Sequence, residues 1–147
     1  MKKFTRQKSG NPPTADINLD FGAAAAMVAR VLEPGDYRLK IESARVIQSK
    51  QNVLVALDLI EMESAGRVDN RPLWVDGPNA GASQFAMENQ HQIAQLLTLV
   101  DLPTKGNVGA LIPQLGGLEF DARLVLAIDG RCGRTYNAIA EIYVDAP

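Results

Sequence analysis

Residues 33–63 read Glu-Pro-Gly-Asp-Tyr-Arg-Leu-Lys-Ile-Glu-Ser-Ala-Arg-Val-Ile-Gln-Ser-Lys-Gln-Asn-Val-Leu-Val-Ala-Leu-Asp-Leu-Ile-Glu-Met-Glu. Pro34-Gly35 is a turn signal, because proline presets φ and glycine accepts a positive one. Behind it, Tyr37, Leu39 and Ile41 alternate with Arg38, Lys40 and Glu42. A period of two describes a strand with one buried and one wet face. The alternation slips at Ser43-Ala44, the mark of a β-bulge that lets a long strand bend. Ser49-Lys50-Gln51-Asn52 is a polar tip, after which Val53, Val55, Leu57 and Leu59 alternate down a second strand. These residues predict a long, bent hairpin.

The rest of the chain packs onto that hairpin. Residues 64–70 read as a loop, and 71–76 as a short third strand. Pro72 lacks an N–H for a ladder, so this strand belongs at an edge or begins at the proline. Over residues 82–100 the period changes. Phe85, Ile93, Leu96, Leu97 and Val100 share one helical face, with Gln84, Glu88, Gln92 and Gln95 largely opposite. Asp101-Leu102-Pro103 ends the helix, and Thr104–Pro113 is a loop or a short helical turn. Leu118, Phe120, Ala122, Leu124, Leu126 and Ile128 then alternate as a fourth strand. A glycine-bearing turn at 129–134 leads to a fifth at 135–144.

Composition narrows the classes of function. The chain has 147 residues, 46% of them hydrophobic, which suits one globular domain. No apolar run approaches the ~18–20 residues of a membrane helix. The basic start has no apolar stretch behind it and is not a secretory signal. One cysteine, Cys132, excludes an internal disulfide and suits a reducing cytoplasm. With one His and one Cys, the usual zinc sites cannot be assembled, and no cofactor is implied. Cys132 lacks a partnering histidine for nucleophilic catalysis, since His91 lies in the Gln-rich helix. Asp58, Glu61 and Glu63 share one strand and read as a solvated face rather than an acid–base pair. Nothing here is an enzyme.

Charge is unevenly placed. Lys2, Lys3, Arg6 and Lys8 stand in residues 2–8 with no acid among them. Without these four, eleven bases face seventeen acids, leaving residues 9–147 near −6. Residues 1–20 have no periodicity and read as a flexible arm, and 21–32 as a lead-in. The folded domain is expected over 33–147.

The run Pro-Gly-x-Tyr-x-x-x-Ile, Ser-Lys-x-Asn and an apolar strand resembles the opening of a phage-encoded family found beside recombination genes. The likeness continues in Asn70-Arg71-Pro72-Leu73-Trp74, in the helix, and in Leu115-Gly116-Gly117-Leu118-Glu119-Phe120, covering roughly residues 33–144. The family usually has glycine where Gln51 stands. Its members are regarded as single-stranded-DNA-binding proteins with an oligonucleotide-binding (OB) barrel. The resemblance therefore implies a mainly β fold, a five-stranded antiparallel OB-like barrel with one α-helix between strands 3 and 4. The strand and helix order read above is that order. A small open β-sandwich with one helix has the same content and is the rival architecture.

On the OB plan, the strand 2–3 face and the loops joining strands 1–2 and 4–5 surround the binding groove. Lys50 then lies at the first loop's tip, Arg131 and Arg134 in the second loop, and Arg71 and Trp74 on strand 3 after Arg67. Single-strand binding needs cations to follow phosphates and a π-face for bases. Those six residues supply both. A lone tryptophan in a small domain is more often core than platform, and arginines in turns also solubilise. The resemblance implies non-sequence-specific binding of single-stranded DNA in phage or prophage replication and recombination, in the bacterial host's cytoplasm. Its further partners would be a phage recombinase and, through open strand edges, a second copy of the chain. The alternative is a protein-interaction or structural module of a phage-like element. The acidic balance speaks for the alternative, since nucleic-acid binders are usually basic.

Overall fold

In the structure, a computed structural model, residues 18, 19, 21, 28–77 and 84–144 are described, apart from the side chains of Gln84 and Phe85. The expected arm at 1–20 therefore lies almost wholly outside the described residues, as does any core contact of Phe85.

The hairpin forms where the alternation placed it. Strand β1 (Gly35–Ser49) pairs antiparallel with β2 (Asn52–Glu61), from Leu39↔Glu61 to Ser49↔Asn52. Its register shifts between Ile41 and Ser43, which makes Glu42 the extra residue of a bulge. Leu39, Ile41 and, past the bulge, Ala44 are consequently all buried on the core side. The second strand departs from simple alternation: Leu54 and Ala56 are buried as well as Val55 and Leu57.

Beyond Lys40, β1 leaves its second partner. Gly35–Lys40 pairs with β5 (Glu119–Ile128), which pairs with β6 (Thr135–Tyr143). Along the far edge of β2 lie β3 (Gly66–Arg67) at one end and β4 (Leu73–Asp76) at the other. Among the described residues there are thus six strands, not five. The additional one is two residues long, too short to show any period. Its edge is extended by a parallel bridge between Arg30 and Val68.

The expected closed barrel is not formed. The path β3-β2-β1-β5-β6, with β4 also on β2, leaves the sheet open between β4 and β6. The alternating strand directions make β4 and β6 parallel neighbours across this seam. The segment leading into β4 meets β6 at one bond, Asn137 N–H to the Asp69 carbonyl at 2.7 Å, and the two strands then lie apart. Helix α1 (Gln84–Leu99) holds them apart. Its Ile93, Leu96 and Leu97 are buried in the core with Phe120, Leu124 and Ile142. From the same helix, Asn89 Nδ2 donates to the Trp74 carbonyl (2.9 Å) and Gln92 Nε2 to the Ile139 carbonyl (2.8 Å). Gln90 Nε2 reaches the Val75 carbonyl. Side-chain amides thus replace ladder partners that two sheet edges would otherwise lack.

The helix ends in a Schellman arrangement. The Leu102 N–H bonds to the Leu97 carbonyl and that of Asp101 to Thr98, with Asp101 at φ 59°. Two 3₁₀ turns, Val108–Ala110 and Ile112–Leu115, follow and bury Ile112 and Leu115 beneath β1. The fourth expected strand also needs a correction: Leu126 and Ile128 continue its alternation but are 48% and 71% exposed. The β1–β5 ladder stops at Gly35↔Leu124, so nothing of β1 extends over them.

Candidate functional site

The six cations and aromatics singled out by sequence do not share one condition. Arg71 is committed. Its Nη1 lies 2.6 Å from Asp69 Oδ1, its Nε 3.0 Å from Asp129 Oδ2, and its guanidinium 4.7 Å from the Tyr136 ring centroid. The hydrogen bonds to Asp129 and then to Asp69 push its pKa up from an already basic value. Asp129 in turn is held below the usual carboxylate range, first by the Arg131 N–H (2.9 Å) and then by Arg71. Asp-Gly at 129–130 is a familiar turn opening, in which the carboxylate bonds the backbone two residues on. Here the same carboxylate also grips Arg71. The network fastens the β5–β6 turn to the segment leading into β4.

Arg67 is likewise engaged, 2.7 Å from Glu42 at the bulge. Arg131 is 91% exposed, its Nε only 3.7 Å from Asp129. Lys50 and Arg134 are exposed and make no ion pair among the described residues. Lys50 and Arg134 therefore remain unpaired among the described residues and Arg131 is only loosely paired, while Arg67 and Arg71 are neutralised.

Trp74 is neither core nor fully exposed. Its neighbours Leu73 and Val75 pack against the main core, so the period of two sends Trp74 to the opposite face. The registers Ile47↔Leu54 and Leu54↔Trp74 set these three side chains in one cross-strand row on that outer face. At the far end of β4, Gly77 (φ 112°) presses on the hairpin tip. A Cβ there would stand 2.5 Å from the Gln51 carbonyl oxygen and 2.6 Å from Asn52 Cα. The tip's left-handed residue is Lys50 (φ 60°), not the Gln51 position where the resembling family has glycine. β4 thus runs between the two cation-bearing loops, clamped to one by Arg71 and pressed on the other by Gly77. Trp74 stands between them.

The open seam forms a cleft of about 670 Å³ between β4, β6 and α1. Arg71 and Tyr136 stand at the end nearest the arginine-bearing turn, and Leu73, Ile139 and Gln92 line it further along. At the top of the seam, the Asn137 side chain behaves like a strand partner for the lead-in. Its Oδ1 accepts the Leu32 N–H (2.7 Å) and its Nδ2 donates to the Leu32 carbonyl (2.9 Å). Asn137 is 1% exposed. Neither it nor Gln92 nor Asp129 was expected at the site, and only the Asp-Gly pair carried a local signal.

Of the carboxylates read as a solvated face, Glu61 is instead buried. Burial pushes its pKa up, but hydrogen bonds from the Ser64 hydroxyl and the N–H groups of Glu63 and Ser64 outweigh this and lower it. It caps the turn at 62–64. Asp58 accepts from Ser43 and pairs with Arg45 at 3.1 Å. Cys132 and His91 are exposed. Among the described residues no cluster of three His, Cys, Asp or Glu side chains could hold a metal ion, and no helix is long and apolar enough to cross a membrane.

No family model matches the chain, and no curated protein is similar to it.

Proposed function

We propose that the chain binds single-stranded DNA without sequence preference, on an OB-like scaffold whose closing strand pair is replaced by a helix. The observation that carries this reading is β4 with its outward Trp74, suspended between the Lys50 tip and the Arg131–Arg134 turn. Four strand residues plus their anchors extend ~20 Å at the usual strand rise. Over that length a strand can lay phosphates on cations at both ends and a base on the indole. The strand order supports the OB plan too: β1 pairs with β2 and β5, β4 lies on β2, and β4 and β6 are parallel neighbours. The phage replication and recombination setting rests on the resemblance alone.

Binding of a thirty-nucleotide pyrimidine strand, followed by fluorescence anisotropy across a salt series, tests the reading. Changing Arg131 and Arg134 together to Ala should weaken binding and flatten the log K–log salt slope by about 1.4, at ~0.7 per phosphate contact. Trp74→Ala should cost about 1–3 kcal/mol with little change of slope, because stacking releases no counterions. Absence of binding at low ionic strength rejects the proposal.

One observation favours the interaction-module reading. Leu126 and Ile128 are exposed on a stretch of β5 that pairs only with β6 among the described residues. Such an edge can accept a strand from a second copy. A mass of 15.9 kDa by light scattering, with and without DNA, would remove pairing with a second copy.

A further inference from the structure

The cleft between β4, β6 and α1 is unlike the surface around it. It is walled by Leu57, Leu73 and Ile139, and the carboxylates of Glu88 and Glu141 line it as well. Within it lies a specific deficit. Gln92 donates its Nε2 to the Ile139 carbonyl, while its Oε1 is fully buried and accepts no hydrogen bond. A buried acceptor without a donor costs about 1–3 kcal/mol, and such an atom calls for an explanation. Gln92 and Ile139 line the cleft beyond Arg71 and Tyr136, which stand at its arginine-bearing end.

The lining selects a ligand class. Apart from Arg71, the lining holds no Lys or Arg to take a phosphate, and its Glu141 is already paired with Arg123 at 3.1 Å. Arg71, already bonded to two carboxylates, supplies little net positive charge to attract one. Apolar walls with a few convergent polar groups fit a flat, largely neutral group that offers N–H donors, and the volume is of the size that takes small ligands. Given the single-strand binding proposed above, on which this step rests, we infer that the cleft receives a nucleobase of the bound strand. The base turns in from the backbone held at Arg131 and Arg134, and its N–H edge donates to Gln92 Oε1 once that amide turns toward the cleft. Trp74 then stacks a different base on the outer face, and the seam is open because it is a base pocket.

The experiment compares two twelve-nucleotide strands, one with pyrimidine bases and one with reduced abasic sugars throughout. Both are bound at one fixed low ionic strength to wild-type protein and two variants. Gln92→Leu removes the acceptor, and Ala140→Phe fills the cleft from an exposed position on β6. Each variant should bind the base-bearing strand about tenfold more weakly than wild type, the scale of one lost base contact. Binding of the abasic strand should not change. Base-bearing binding that is unchanged in both folded variants overturns the pocket and leaves the DNA reading standing. Equal loss on both strands assigns Gln92 and Ala140 a structural role only, and also overturns it. If wild type binds neither strand, the single-strand reading itself falls and the pocket with it, an outcome distinct from the two above because it appears in wild type.

Discussion

At the scale of single residues, the sequence marked where cations stand but not which were already spent. Arg71 and Arg131 look alike in a one-dimensional reading. Two close carboxylates, Asp69 and Asp129, engage Arg71, whereas Arg131 reaches Asp129 only at 3.7 Å, and Asp129 lies fifty-eight positions from Arg71. The clamp has a testable pH signature. Asp129 titrates lower in the folded chain than in the unfolded one, so its contribution is complete above the unfolded value of about 4. It fades as pH falls through the depressed folded value. Wild type should melt higher than Asp129→Asn at neutral pH, with the gap narrowing on acidification below about pH 4. A gap constant down to pH 2 contradicts the clamp. Lys50 offers a cleaner probe of the phosphate contacts. It occupies a left-handed conformation that glycine adopts at no steric cost. Lys50→Gly should therefore leave melting nearly unchanged while lowering the salt slope by about 0.7. An unchanged slope removes Lys50 from the interface.

At the scale of elements, the strong periods were legible: β1, β2, β5, β6 and α1 all stand where alternation or helical spacing put them. What stayed illegible was pairing over distance. The two residues of β3 have no pattern, and Leu126-x-Ile128 keeps the rhythm of a buried strand although its neighbour strand ends at Gly35. Gln92 reads as part of the helix side opposite the apolar face, and Asn89 and Gln90 carry no signal of their own. Their real work, satisfying the open edges of β4 and β6, depends on a gap that no local signal reports. Asn137 carries the same logic to the head of the seam, where its amide completes both hydrogen bonds of Leu32. Asn137→Leu keeps the volume roughly and removes the amide, leaving a backbone N–H and a carbonyl without partners. The expected loss is about 2 kcal/mol in chemical denaturation. A variant as stable as wild type would show that water replaces the amide and that the lead-in is not anchored there.

At the scale of the whole molecule, the charge balance decides how the candidate interface must behave. The chain carries −2 overall, and near −6 without residues 2–8. Arg67 and Arg71 are each bonded to acids, so the face keeps Lys50, Arg134 and a loosely paired Arg131 against a repulsive background. Long-range attraction must then come largely from Lys2, Lys3, Arg6 and Lys8, wherever along the bound strand they act. Screening makes that dependence measurable, since the Debye length is about 30 Å at 0.01 M salt and 10 Å at 0.1 M. Deleting residues 2–8 should weaken single-strand binding most at the lowest salt, with the two affinities converging as salt rises. The slope of log K against log salt should drop by as much as about 2.8 if all four cations meet phosphates, at ~0.7 each. Melting measured on the same two proteins separates an effect of charge from one on stability. A loss of affinity equal at every salt concentration would mean that the segment acts through the fold rather than through charge. No loss at any salt would leave Lys50, Arg131 and Arg134 to hold the strand alone, and the double-arginine variant would then have to abolish binding outright.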